Sequence, residues 1–313
     1  MLTTLATLAA LTLGAVRQDR DPGSRDTTVA VQPGARLDVN NFGGEIVVRV
    51  WNQNNVRVRA THSSRSRVEV SSTAAAVMVR TAGRRGPPSI VDLELTVPAA
   101  MAMTLRGHYT DISVEGAGGS VSAESTQGDI TITGGTGSVV VKAVEGDVTL
   151  SRTRGRIQVT TVEGDVRVAD AVGEVVVETV DGDIFLQRMD APSVEVSTVD
   201  GDIVYDGTIK DGGSYRISTH DGDITVGIPP SASVRVMVAS FDGEFDSSFP
   251  VDVQRSGKHR FSFTIGTGKA RVELETFDGD IRLRRPGEVN VRDARNRNQN
   301  RNQNRNRDED HDY

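Results

Sequence analysis

The chain contains no cysteine among its 313 residues. That excludes disulfide staples, thiolate zinc sites, a cysteine nucleophile and a lipid-modified amino-terminal cysteine. Aromatic residues are scarce, at 4% with a single tryptophan, and apolar residues reach only 36%. That is thin for a compact core packed from large side chains, but many small β-branched residues could form a narrow one. Stretches with helical periodicity are nearly absent. No nucleophile elbow, phosphate loop or zinc motif occurs. The histidines, His62, His108, His220, His259 and His311, show no metal-ligand spacing. The chain reads as a non-enzyme, with no cofactor expected unless it is the calcium considered below.

Membrane-spanning apolar runs are lacking too. Leu2 to Val16 carries no charge, and Arg17 closes the run. It is too short to cross a bilayer and suits the apolar region of a secretory signal. Residues 1–19 are thus expected to direct export rather than to form a buried first strand, with cleavage after Ala15 or soon after it. No later segment is expected to be transmembrane.

The net charge of −7 argues against nucleic-acid binding by the body of the protein. Basic residues gather instead in a low-complexity stretch, VRDARNRNQNRNQNRNR at 291–307, followed by DEDHD. The tail, 287–313, is expected to be disordered, since it has nothing apolar to bury. It is open to two readings, a solvated terminus or an arm for anionic polymers and lipid headgroups.

What the chain has in plenty is glycine, 32 residues, and alternating Val, Ile and Thr. TVDGDIFL (Thr179–Leu186) returns as TVDGDIVY (Thr198–Tyr205). Taking its glycine as a pivot, equivalents stand at Gly128, Gly146, Gly164, Gly182, Gly201, Gly222, Gly243 and Gly279, spaced 18, 18, 18, 19, 21, 21 and 36. Gly44, and Thr110 in a glycine's place, bring the number of units to ten. The residue after the pivot is always acidic: Glu45, Asp111, Asp129, Asp147, Asp165, Asp183, Asp202, Asp223, Glu244, Asp280. Apolar residues dominate two and four places after it and five and seven places before it. Three places before it the residue is small.

Alternation on both sides of a pivot means strand, turn, strand. Insertions confined to one place per unit are what a stack of coils permits. The expected fold is therefore all-β, a parallel β-solenoid with coils of about 18 residues. A right-handed β-helix is favoured by the handedness of parallel crossovers. The expected layout is an N-terminal β region with the first coils over 20–106 and a regular solenoid over 107–286, with an insertion at 248–271.

In such a stack the acids form ladders, and two explanations of them stay open. Asp beside Gly suits a turn, where its carboxylate accepts backbone N–H bonds and glycine supplies positive φ. Alternatively the rows hold divalent cations such as calcium, with Asp181, Asp183, Asp200, Asp202, Asp221 and Asp223 as ligands. Uniform acids in every unit do not resemble a catalytic cluster.

Four stretches resemble a bacterial family of adhesin-like β-strand-repeat proteins, still a domain of unknown function. They are LDVNNFGGEIVVRVW (37–51), LELTVPAAMAMTLRG (93–107), DITVGIPPSASVRVMVASFDGEF (223–245) and GTGKARVELETFDGDIRL (266–283). The resemblance spans about residues 35–285 and includes no catalytic set. It implies an exported envelope or surface protein, in the periplasm or on the cell surface. A non-enzymatic module binding an envelope polymer, glycan or protein fits first. A scaffold stacking on its own copies fits second, although Ile281–Pro286 (IRLRRP) places Arg and Pro where they would block edge pairing. A calcium-dependent glycan binder or polysaccharide lyase is third.

The segment between Gly243 and Gly279 departs from the period. VDVQRSGKHRFSFTI (251–265) reads as a hairpin around Ser256-Gly257-Lys258. Six of the eight phenylalanines lie in it or just before it: Phe241, Phe245, Phe249, Phe261, Phe263 and Phe277. They are expected to widen and cap the core. Lys258, His259 and Arg260 at the hairpin are candidates to contact an anionic partner.

Overall fold

A computed structural model describes residues 24–84, 86, 89–255 and 257–289. The expected export signal and all but the start of the basic tail lie outside them. Among the described residues there are twenty-four strands and no helix, and the strands form one hydrogen-bonded, mostly parallel system.

The middle of the molecule is solenoid-like and follows the repeat. Val139 pairs with Val121 on one side and Ile157 on the other, and Ile157 with Val175. On the other side of the turn, Ile130, Val148, Val166 and Ile184 form a second parallel row. Each partner is eighteen residues from the next. The offset widens to nineteen where Val177 meets Val196 and to twenty-one where Val196 meets Ile217, with strict register resumed at once. The residues two and four after the pivot and five and seven before it point inward and are essentially inaccessible, as at Val139, Val141, Val148 and Leu150. Side chains alternate across a strand, so a fixed phase in every unit gives one continuous narrow core. Near Gly207 that core widens around two buried tyrosines, Tyr205 and Tyr215, with ring centres 5.8 Å apart.

The ends depart from sequence order. At the C-terminal end, Ala270–Asp278 lies between Ser214–Asp221 and Val234–Asp242, parallel to both. Ile281–Arg284 likewise lies between Ile224–Gly227 and Phe245–Ser247. The last coil in sequence is thus the second to last in space. The Arg–Pro segment at 281–286 therefore does not block an outer edge, contrary to the expectation, because its strand is paired on both sides. The outer position belongs to Val234–Asp242, covered by the antiparallel strand Arg260–Ile265. The hairpin read from the sequence is there, but its first strand is only Gln254–Arg255.

The N-terminal end mirrors this. Arg36–Trp51 pairs along its length with Ala102–Ala117, with Gly44 opposite Thr110 and Glu45 opposite Asp111. On its other side it carries Ala76–Gly83 and Val91–Pro98, which come between the two in sequence. Here too the terminal coil is second in space. Antiparallel strands Ser24–Ala30, Asn55–His62 and Ser66–Ser72 close that end.

Candidate functional site

The turn at the pivot is built by glycine for two reasons. Its φ is positive, +131° at Gly146 and +148° at Gly201. A Cβ at Gly201 would also stand 2.2 Å from the carbonyl oxygen of Gly182, so successive turns stack backbone on backbone. Only glycine meets both conditions.

Each aspartate after a pivot reaches to the next turn. Asp183 Oδ1 accepts the backbone N–H of Asp202 at 2.8 Å, Asp202 that of Asp223 at 2.8 Å, and Asp223 that of Asp280 at 2.8 Å. The same bond joins Asp111 to Asp129, Asp129 to Asp147, Asp147 to Asp165 and Asp165 to Asp183. It ends with Asp280 accepting from Glu244 at 2.9 Å. Like charges about 5 Å apart in water repel by roughly 0.8 kcal/mol. A hydrogen bond to a charged group contributes about 1.5–3 kcal/mol, so the ladder is held despite its charge. Arginines add to this. Arg167 spans Asp147 and Asp165 at 3.1 and 2.6 Å, and Arg282 spans Asp223 and Asp280 at 2.5 Å each. Burial would lower the pKa of Arg282, but the bond to Asp223 and the charges of Asp223, Asp280 and Asp202 outweigh it and raise the value.

The candidate cation ligands fall into two rows. Asp183, Asp202 and Asp223 form the inner row just described. Asp181, Asp200 and Asp221 stand on the other side of the glycine and are joined as neighbours by parallel bridges. Within each row the structure brings them to coil spacing, but no group of three or more ligating side chains converges among the described residues. Sequence reading missed one member of the inner row. Asp92 Oδ1 accepts the N–H of Glu45 at 3.3 Å, with the Val91 carbonyl beneath Gly44 as a pivot carbonyl would be. Its one signal is an acid followed by alternating leucines, in VDLEL.

The small residue three before the pivot is buried in most turns; at Thr161 and Thr179 its hydroxyl has no partner, but at two later turns it is bonded. Thr219 Oγ1 donates to Gly201 O at 3.1 Å and Thr276 Oγ1 to Gly222 O at 3.1 Å. Such bonds tie the strand end to the neighbouring turn.

The residue two before the pivot does the opposite and points to solvent. Val144, Val162, Val180 and Val199 are 44–50% exposed. In spatial order the row continues with His220, Phe277 and Phe241, the two phenylalanines 48% and 57% exposed. Their rings stack: His220 on Phe277 at 4.9 Å and 16°, Phe277 on Phe241 at 4.9 Å and 7°, and Phe241 on His259 at 4.3 Å and 17°. A groove of about 470 Å³ runs beside this column, lined in part by Thr219, His220, Ser240, Phe241, His259 and Phe277. The slot reads from sequence as a turn flank. Its signal was the recurrence of Val, His and Phe at an exposed position, but the ring column needs Gly279 between Gly222 and Gly243.

The three hairpin residues are placed differently from one another. Lys258 is exposed in the turn. His259 caps the ring column. Arg260 opens the strand Arg260–Ile265, with Glu275 3.7 Å away.

Comparison with known proteins gives one family. A family model described as Toastrack DUF4097 matches residues 35–284. No curated protein matches the chain. Among solved structures, a candidate adhesin from Bacteroides fragilis is similar at 12% identity and TM-score 0.45, covering 83% of this chain and 97% of its own. A candidate cell adhesion protein from Clostridium sporogenes is similar at 13% and 0.22, covering 84% and 99%. A candidate lipid-binding protein from Parabacteroides distasonis is similar at 9% and 0.36, covering 84% and 97%.

Proposed function

The chain belongs to the Toastrack DUF4097 family, and from that premise we propose that it is an exported, non-enzymatic binding module of the bacterial envelope or surface, adhesin-like in use. We take its coils to be right-handed, about eighteen residues each, as parallel crossovers favour. One observation carries the reading: a straight stripe of exposed Val, Phe and His side chains at the same slot of successive turns. Contiguous apolar surface of that kind marks an interaction site. The solenoid makes the stripe long and rigid, so a partner can be engaged without ordering a loop. End-to-end stacking on further copies fits less well, because antiparallel strands cover the N-terminal end and the outer Val234–Asp242 strand of the C-terminal end.

The test is a binding screen of the protein against glycans, envelope polymers and matrix proteins. It is run with calcium and with chelator, because the carboxylate rows are where a divalent ion would act. Saturable binding of one class is the expected result. No binding by any class in either condition would end the proposal.

A further inference from the structure

We propose that the turn edge from Val144 to Phe241 is a docking surface for an extended cationic polypeptide whose basic and aliphatic side chains alternate. The proposal rests on the binding-module reading and names the partner of that same stripe.

The apolar part comes first. Val144, Val162, Val180, Val199, Phe277 and Phe241 expose on the order of 500 Å² together, comparable to the largest patch on a typical monomer. Their turns follow one another at about 4.8 Å. Six steps span roughly 29 Å, the length of about nine residues of extended chain.

Charge selects the partner. Beside the stripe, one residue nearer the pivot, runs a second row: Glu145, Glu163, Asp181, Asp200, Asp221, Asp278 and Asp242. Every member is acidic. The inner row is bridged by Arg167 and Arg282. Among the described residues, no Lys or Arg pairs with Glu145, Glu163, Asp181, Asp221, Asp278 or Asp242. A long apolar stripe beside a row of acids, six of them without a Lys or Arg partner, matches a ligand carrying aliphatic groups beside positive charges. A second copy of the same edge would set acids against acids and is disfavoured. A glycan is disfavoured by the ring geometry. Sugars pack on aromatic faces, and the faces of Phe277 and Phe241 are covered by their neighbours at 4.3–4.9 Å, leaving their edges outward.

The test uses the full chain and a fluorescein-labelled decapeptide alternating Lys and Val, read by anisotropy at low and moderate salt. A Lys–Ser decapeptide and a chitosan oligomer serve as comparison ligands. The Lys–Val peptide is expected to bind tightest and to weaken as salt rises. The triple variant Val162→Ser, Val180→Ser, Val199→Ser is expected to lose about tenfold or more in affinity with its melting temperature unchanged. If that variant does not fold, Glu163→Gln with Asp181→Asn and Asp221→Asn decides, with a similar loss and a flatter salt dependence expected. Equal affinity of wild type and variants overturns the proposal, as does equal binding of the Lys–Ser peptide or preference for chitosan. Lys–Val binding that emerges only after residues 290–313 are removed overturns it in favour of the chain's own tail. If the peptide fails while another ligand class binds in the screen, the partner is wrong and the binding module stands; if nothing binds in either, both fall.

Discussion

Between Val121 and Gly227, neighbours in space are successive units in sequence, eighteen to twenty-one residues apart. At the two ends they are not: residues 270–284 slide between 214–227 and 234–247, and residues 36–51 are flanked by 76–98 and 102–117. The middle is held by repetition of one turn, while the ends are held by strands that return from a distance and are finished by antiparallel pairing. An interior coil has two like neighbours. A terminal coil has one, and an open edge would invite pairing with other chains. Tucking the last coil one place inward locks the outer coil in place by a long-range contact, and the antiparallel strand beyond it covers the exposed face.

The sharpest way to break this contrast is to end the chain after Gly268. The outer coil 234–247 would then have no parallel partner, and Ser214–Asp221 and Ile224–Gly227 would keep only their inner partners, Ser193–Ser197 and Ile203–Gly207. Loss of protection from residue 214 onward is expected, with protection retained over 121–200, measured by hydrogen exchange. Uniform retention would mean that the outer coil reseats on Ser214–Asp221 and that the tucked coil is dispensable.

Next in size is a single pivot. Gly201→Ala places a Cβ 2.2 Å from the Gly182 carbonyl at φ +148°, and a loss of about 3 kcal/mol or more is expected from strain and clash together. Gly212→Ala, at φ +77° with nothing within 4 Å, is expected to cost only about 1 kcal/mol. Urea midpoints compare the two; equal losses would show that stacking of the turns adds nothing beyond the φ requirement.

A smaller effect of opposite sign is expected inside the body. Thr153 is fully buried with no partner for its hydroxyl, while the same place in the next coil is held by Ala171. Thr153→Val should raise stability by about 1 kcal/mol by removing an unsatisfied polar group. A lower urea midpoint would show that the hydroxyl is satisfied in solution.

The smallest effect is the acid dependence of surface pairs. Bonding to Arg57 lowers the pKa of Asp26, with burial opposing and Arg59 assisting. Bonding to Arg188 lowers that of Asp170. A carboxylate depressed by folding stabilises the native state above its unfolded pKa, and the contribution disappears as pH falls through the folded value. The melting temperature is therefore expected to fall below about pH 4, and Asp26→Asn should remove part of the drop at the N-terminal end while Asp170→Asn removes part in the body. The Asp170 pair is solvent-exposed and the Asp26 pair partly so, so salt is expected to shrink the drop. A drop unchanged by either substitution would assign it to other groups.

Much of the fold was legible because a strand has a side-chain period of two and a repeated unit cannot change phase without exposing its core. That made the inward positions, from Val139 to Leu283, readable one by one. That the inner acids accept backbone N–H bonds was readable too, but the turn chemistry of Asp beside Gly suggests a bond within one turn, whereas each bond runs to the next coil, as from Asp202 N–H to Asp183. Asp92 was not, because no glycine precedes it. Nor was the exposed stripe, because a lone valine at a turn says nothing until its equivalents stand in line.

By itself, then, the sequence determined the period, the phase and the chemistry of each turn, which are matters of short-range geometry repeated many times. Only the tertiary structure decided which coil lies against which at the ends. Parallel pairing asks for a matching face and register, and all these units offer the same ones, so chain order alone does not choose among them. Long connections at 52–90 and 248–269 let distant strands return, and that return set Phe277 between His220 and Phe241, turning three separated side chains into one surface.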